Sequence, residues 1–495
     1  MLMPFVLWTA GLAIVFAASS LVRRRFITGV SVPKGPKGYP FIGNIFQIPC
    51  KDPFKTYSEW SRIYGPMVYM HVFGQEFVVL NSLESVIDLF EKRSSIYSTR
   101  PRLRSKVMAG ELVERAQNSV IFMKYGPRWK ACRKIMHGWM NHRVISQYNF
   151  LVERNAGHFL WKLLHCPGIF SHHIKVNAGS LILKLVYGIE PLPHGDPWIG
   201  MSEKLSKITG TVSEPTRWLV NSFPFLRYMP MWMPVVEMMD KGTAEPSWTL
   251  EFLQQDARTP KTLEEIATHQ SAAGTLYAGG MVAYIRTFFL VMVLNPDVQK
   301  KAQAEIDAVV GSMRLPNMSD KPHLPYINCL IKEVFRINAI VPLLPHSLEQ
   351  DDVYKGHHIP KGAWVIANMW AIFNDPSIYP EPERFNPQRF EARPGHPPEM
   401  DPSRYAFGIG MGRRFCPGYH LAMAFIFVNV TQILSTFSTS PELDKDGNEI
   451  IPPLKFDFGH LTSKPSDFNC IIKPRTPESS HLIDSLVEID SEGFY

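Results

Sequence analysis

Apolar residues recur every third or fourth position along most of the chain, and the longest such pattern runs from Thr262 to Leu294. Thr262 and Glu265 form a capping box at its start, and Asn295-Pro296 supplies the stop. The pattern therefore predicts one helix of roughly 50 Å. Two-residue alternation is confined to short stretches. MVYMHV (Met67 to Val72) alternates, the apolar run FVVL (Phe77 to Leu80) follows, and Phe73-Gly74-Gln75 between them reads as the turn of a β-hairpin. A second short pair lies between Asp352 and Asn368, with its turn signal at Lys361-Gly362. No internal repeat is visible. The periodicity describes a mainly α (α+β) protein, a large helical domain with small β-sheets.

The first 25 residues depart from this pattern. From Leu2 to Val22 no residue is charged, a stretch as long as the ~20 residues that cross a bilayer as a helix, and Arg23, Arg24 and Arg25 follow at once. Positive charge stays on the cytoplasmic side, so one N-terminal transmembrane helix is expected, with a lumenal N-terminus and everything beyond Arg25 cytosolic. A cleaved signal peptide would instead carry its charge ahead of a shorter apolar core. Pro33, Pro36 and Pro40 then fix a stiff, extended connector. No Gly/Ser-rich linker divides the chain after residue 40. The organisation read from sequence is a membrane anchor over 1–25, a Pro-rich connector over 26–44, one catalytic domain over 45–475 and a C-terminal tail over 476–495.

Composition adds limits. The 495 residues are 45% hydrophobic and 20% charged, enough apolar material for a large core. Lys plus Arg number 52 against 45 Asp plus Glu, a modest excess suited to a negative membrane surface or an acidic partner. No nucleic-acid module is present in the sequence. Six cysteines at 50, 132, 166, 329, 416 and 470 lie far apart without a CxxC pair, which argues against a disulfide scaffold and for a cytosol-facing location.

One cysteine stands in unusual company. YAFGIGMGRRFCPGYHLA (Tyr405 to Ala422) places Gly408, Gly410, Gly412, Arg413 and Arg414 ahead of Cys416, and an apolar helical pattern starts at Tyr419. A helix start and two arginines favour the thiolate, which can bind a metal or attack as a nucleophile. The glycines let backbone approach something flat and bulky. Zinc would need further Cys or His at short spacing, and His420 alone does not supply it.

With Gly412 at −4, Arg414 at −2 and Pro417-Gly418 directly after Cys416, the stretch resembles the haem-binding loop of the cytochrome P450 superfamily, whose Cys thiolate is the axial ligand of haem iron. The resemblance implies haem b on Cys416, with Arg414 among the cofactor-binding residues. The family's aromatic at −7 falls on Ile409, or on Phe407 if Met411-Gly412 is an insertion. Further along, Glu333 and Arg336 in LIKEVFRIN and Arg389 in PQRF correspond to the family's buried triad, with Arg389 chosen over Arg384 of the literal PERF. Trp129 and Arg133, four apart, match the pair that meets haem propionates, and His346 in PLLPHS occupies another donor position. Arg128, Lys130, Arg133 and Lys134 form either a solvated basic face or the docking face for a reductase. The chain looks most like fungal secondary-metabolism monooxygenases of the O-methylsterigmatocystin oxidoreductase kind, through Pro193-His194-Gly195 and FPFLRYMP (Phe223 to Pro230).

The resemblance implies a haem-thiolate monooxygenase in the endoplasmic reticulum membrane. It would take O2, electrons from NADPH-cytochrome P450 reductase and a small apolar substrate. One departure opens an alternative. Neither an acid nor a threonine follows Gly279-Gly280, where the family carries its acid-alcohol pair, and three residues are missing by comparison. Such a loss rotates the rest of the helix by about 300° and draws it in by about 4.5 Å. Thr275, about one turn earlier, is an imperfect substitute. A haem-thiolate isomerase or dehydratase, an impaired enzyme, or a faulty translation of an intron-bearing gene would each account for the gap. So would they for a second shortfall after Trp232–Val236.

Overall fold

The computed structural model describes residues 30–40, 42–49, 51–101, 119–192, 196–201, 280–406, 412–459 and 462–492. The chain forms two compact units, a smaller one of Met1–Pro101 with Pro345–Asn368 and a larger one of Arg102–Leu344 with Met369–Tyr495. The apolar segment Leu2 to Val22 lies outside the described residues.

In the smaller unit α1 (Pro53–Tyr64) opens on a proline, whose missing N–H costs nothing at that position, and buries Phe54 and Tyr57. The first hairpin follows. Strands β1 (Met67–Val72) and β2 (Gln75–Leu80) pair antiparallel with Met67 opposite Leu80. Phe73 and Gly74 form its turn at φ of 46° and 74°, a two-residue turn whose twist matches that of the strands. The strand β3 (Leu343–Ser347) joins a four-stranded sheet of order β1-β2-β6-β3, in which β6 is Trp364–Asn368. The second pair needs a correction. Strands β4 (Asp352–Tyr354) and β5 (His357–Ile359) turn at Lys355-Gly356, with φ of 49° and 75°, and not at Lys361-Gly362. Lys361-Gly362 instead leads into β6 (Trp364–Asn368), which runs parallel to β2 with Trp364 opposite Phe77. Every residue of β6 is buried, so it shows a continuous apolar run where an edge strand would alternate.

The larger unit is built on seven helices that bear on the site: α2 (Pro127–Met140), α3 (Asn149–His165), α4 (Phe170–Tyr187), α5 (Met281–Leu294), α6 (Pro325–Ile337), α7 (Tyr419–Thr436) and α8 (Pro477–Glu492). The helix α5 ends at Leu294, where Asn295-Pro296 stops it, and starts from Gly280. The first part of the expected long helix, 262–279, lies outside the described residues. Apart from Arg286 and Thr287 α5 is apolar, and all of its residues but Val282 and Leu294 are buried. The helix α7 is long and apolar enough to cross a membrane yet is 78% buried as a core helix. A chain of amides fixes three helices against one another. Asn155 of α3 donates to the Asn177 carbonyl at 2.8 Å, Asn177 of α4 donates to Asn429 Oδ1 at 2.6 Å, and Asn429 of α7 donates to the Phe425 carbonyl at 2.8 Å. Buried amides that satisfy each other specify one register.

The C-terminal segment is helical and docked. Ile483 of α8 is fully buried, Leu486 reaches to 3.3 Å from where a Cβ on Gly157 would stand, and His165 meets Asp484 at 3.0 Å. Ending the chain at Arg475 exposes this groove on α3, and the lost burial of two large aliphatic side chains is expected to cost roughly 2–4 kcal/mol. Thermal unfolding of the shortened chain checks this; an unchanged midpoint would contradict it.

Candidate active site around Cys416

Behind the site lies a buried charge cluster whose geometry follows from helical spacing. Glu333 and Arg336 leave the same face of α6, and Arg336 donates from Nε to Oε2 at 2.7 Å and from Nη2 to Oε1 at 2.8 Å. Both side chains have 0% exposure. Arg389 donates from Nε to Glu333 Oε1 at 3.1 Å and from Nη1 to Glu399 Oε2 at 2.8 Å. The remaining guanidinium protons go to carbonyls: Arg336 to Phe373 at 3.0 Å and Pro382 at 2.7 Å, Arg389 to Pro380 at 3.0 Å. Burial works against the Arg389 charge, and Glu333 and Glu399 outweigh it, so its pKa rises. Arg384 sends an exposed side chain to Glu381 at 3.3 Å and offers the cluster only its carbonyl. Glu399 was missed by sequence reasoning, since it sits in a loop with no periodic signal.

Cys416 ends a short approach of backbone just before α7. The protein packed around its sulfur raises the thiol pKa, while the Gly418 backbone N–H and the positive charge of Arg133 pull it down. Arg133 lies on α2 one turn after Trp129, with its guanidinium carbon 5.6 Å from the indole ring. A second guanidinium, that of Arg414, stands 4.4 Å from the same ring and donates to the carbonyls of Val120 at 3.3 Å and Met123 at 2.7 Å. Arg413 donates to Tyr125 Oη at 2.8 Å. Trp129, Cys132 and Met136 form an apolar cluster with Val120 and Met123 beneath these charges. Sequence spacing brought out Trp129, Arg133, Arg414 and Cys416 separately, and the fold gathers them in one place.

A family model described as Cytochrome P450 matches residues 33–240 and 252–466. The chain belongs to the cytochrome P450 family. It is 36% identical to Cytochrome P450 monooxygenase claR of Ampulloclitocybe clavipes, over 94% of this chain and 89% of that protein. It is 36% identical to Cytochrome P450 monooxygenase COX2 of Coprinopsis cinerea, over 93% and 92%, and 35% identical to Cytochrome P450 monooxygenase 208 of Postia placenta, over 98% of each. A zebra fish cytochrome P450 solved with progesterone superposes with a TM-score of 0.67 at 24% identity, covering 86% of this chain and 99% of that one. The solved structure shares the fold, and the fungal relatives make this chain a P450 monooxygenase, an oxidoreductase. Such an enzyme uses haem held by a cysteine thiolate and takes O2, a redox partner and a small substrate.

The residues of this P450 fit that cofactor. Arg133 is half-buried, burial lowers its pKa, and among the described residues it donates no hydrogen bond to a protein group. A desolvated cation in that state suits a ligand carboxylate. No group of three His, Cys, Asp or Glu able to hold a metal ion is present among the described residues, and Cys416 offers one sulfur with the Arg133 charge close enough to act on it. His346 belongs to the smaller unit, where it is buried and stacks on Phe90 with ring centroids 4.1 Å apart. Phe407 and Thr275 lie outside the described residues.

Proposed function

We propose that Cys416 is the thiolate that would hold haem b, and that the chain oxidises a small apolar secondary metabolite with O2 and electrons from NADPH-cytochrome P450 reductase. The observation that carries this reading is the convergence on one thiol of the Gly418 N–H and the Arg133 charge, with Trp129 and Arg414 packed alongside. When bound, a thiolate-ligated haem supplies cleavage of dioxygen, because the sulfur pushes electron density toward the O–O bond. Cys416 would hold the iron through its deprotonated sulfur. The Gly418 N–H and Arg133 offset part of the cost of holding that negative charge away from water. Arg133 takes a haem carboxylate. Arg414, already committed to two carbonyls, steadies the Trp129 ring that flanks it. Glu333, Arg336 and Arg389 form the structural triad that fastens α6 to the segment from Pro380 to Glu399.

Lys130 and Lys134 of the basic patch on α2 stay exposed, and an acidic reductase is the partner that these charges suit. The uncharged run Leu2 to Val22, followed by three arginines, supports a single-pass anchor in the endoplasmic reticulum membrane with the catalytic body in the cytosol.

Arg133→Ala is expected to raise the haem dissociation constant by roughly ten- to a hundredfold, the worth of one charge-assisted hydrogen bond. Haem transfer to apomyoglobin reads this, and an unchanged rate would remove Arg133 from the site. The reaction itself is tested with full-length chain, reductase, NADPH and isotopically heavy dioxygen. One labelled oxygen in the product is expected. Turnover without reductase or NADPH, or unlabelled product, would overturn it.

A further inference from the structure

We infer that Tyr284 is a positioning residue for the cysteine loop: its phenol, through the carbonyl of Ala406, ties the stem of that loop to α5 and so keeps Cys416 where it can hold the iron. The inference rests on the reading of Cys416 given above. Tyr284 Oη donates to the Ala406 carbonyl at 2.9 Å, joining residues 122 apart in the chain. Ala406 closes the short helix Ser403–Ala406, and Cys416 follows ten residues later. Both partners are buried, Tyr284 at 1% exposure and Ala406 at 4%.

The ring has little freedom to release its hold. Tyr284 packs edge-on to Phe335 of α6, with centroids 4.7 Å apart, so a swing of the ring would open the contact between α5 and α6. A phenylalanine would fill the same volume. It would also lose the bond to Ala406. The Tyr284 hydroxyl remains a donor at any working pH, since burial, and after it the charge of Cys416, push its pKa well above the ordinary phenol range.

The two ends of the cysteine-bearing stretch are thus held from different parts of the chain, one by a helix and one by the turn ahead of another. On the far side Arg414 is fixed to the Val120 and Met123 carbonyls just ahead of α2. On the near side the Tyr284 phenol supplies the tie from α5. Without it the Ala406 carbonyl is left buried and unpaired, which favours any arrangement of the stem that restores a donor.

The test compares full-length Tyr284→Phe with Thr287→Val. Thr287 lies on the same helix, donates to the Ala283 carbonyl at 2.7 Å and accepts from Asn338 Nδ2 at 2.9 Å, partners that both lie outside the cysteine loop, so it controls for lost stability. Tyr284→Phe is expected to release haem about tenfold faster than wild type and to shift part of its ferrous carbon monoxide Soret band from the red-shifted thiolate position to the shorter-wavelength one. Thr287→Val is expected to lose thermal stability and keep both the release rate and the band. Release from Tyr284→Phe within about twofold of wild type, or matched by Thr287→Val, would overturn the positioning role. Failure of the Cys416 reading would show differently, as the absence of the red-shifted band from the wild type itself.

Discussion

Glu333→Ala is expected to destabilise the chain by about 3–5 kcal/mol, because it strips the charged partner from a guanidinium that has no water to fall back on. Arg336 loses both of its carboxylate bonds, at 2.7 and 2.8 Å, in a position with 0% exposure. Arg389 keeps Glu399 and loses Glu333. Against a total stability of about 5–15 kcal/mol this is a large fraction, so little folded holoenzyme should accumulate. Arg384→Ala offers the contrast, since its side chain is 70% exposed and paired only with Glu381. That substitution should stay within about 0.5 kcal/mol of wild type. Denaturant midpoints of the two variants check the assignment, and equal losses would contradict it.

Cys416→Ser is expected to remove the thiolate carbon monoxide band and to cut product formation by more than about a hundredfold, beyond what substitutions in a metal's outer shell cost. Serine has nearly the same shape, but its hydroxyl does not ionise near neutral pH and makes a poor soft donor. The fold should tolerate the change, because the side chain's surroundings are set by the Gly418 backbone, Arg133 and the Trp129 cluster. Unfolding of the haem-free variant should therefore match wild type closely, the opposite of the outcome at Glu333. Loss of activity with retained stability separates a ligand from a core residue.

Local signals carried much of this structure. The proline after Asn295 stops α5 at Leu294, and the Phe73-Gly74 turn lies where alternation breaks. The i, i+3 spacing of Glu333 and Arg336 puts both on one face of α6, a local property, whereas the bond from Arg389 to Glu333 joins segments 56 residues apart. Long-range contacts were not legible. Two Lys-Gly dipeptides stand close together between β4 and β6, and only the identity of the partner strand decides that Lys355-Gly356 closes the hairpin while Lys361-Gly362 leads to β2. Arg414 is grouped in sequence with the cofactor-binding residues, whereas in the structure its hydrogen-bond partners include carbonyls 291 and 294 residues away. Tyr284 falls inside the periodic stretch from Thr262 to Leu294, and its hydroxyl matters only once Ala406 is known to lie opposite. The segment after residue 476 reads as a tail since its value lies in fitting Gly157 of another helix.

Iron absorption spectroscopy on the purified wild-type holoenzyme, beside Cys416→Ser, tests the bond on which the account depends. One sulfur neighbour should surround the iron together with the four porphyrin nitrogens, and it should vanish in the serine variant. An iron shell of nitrogen and oxygen alone in the wild type, or a sulfur neighbour that survives the substitution, would contradict ligation by Cys416.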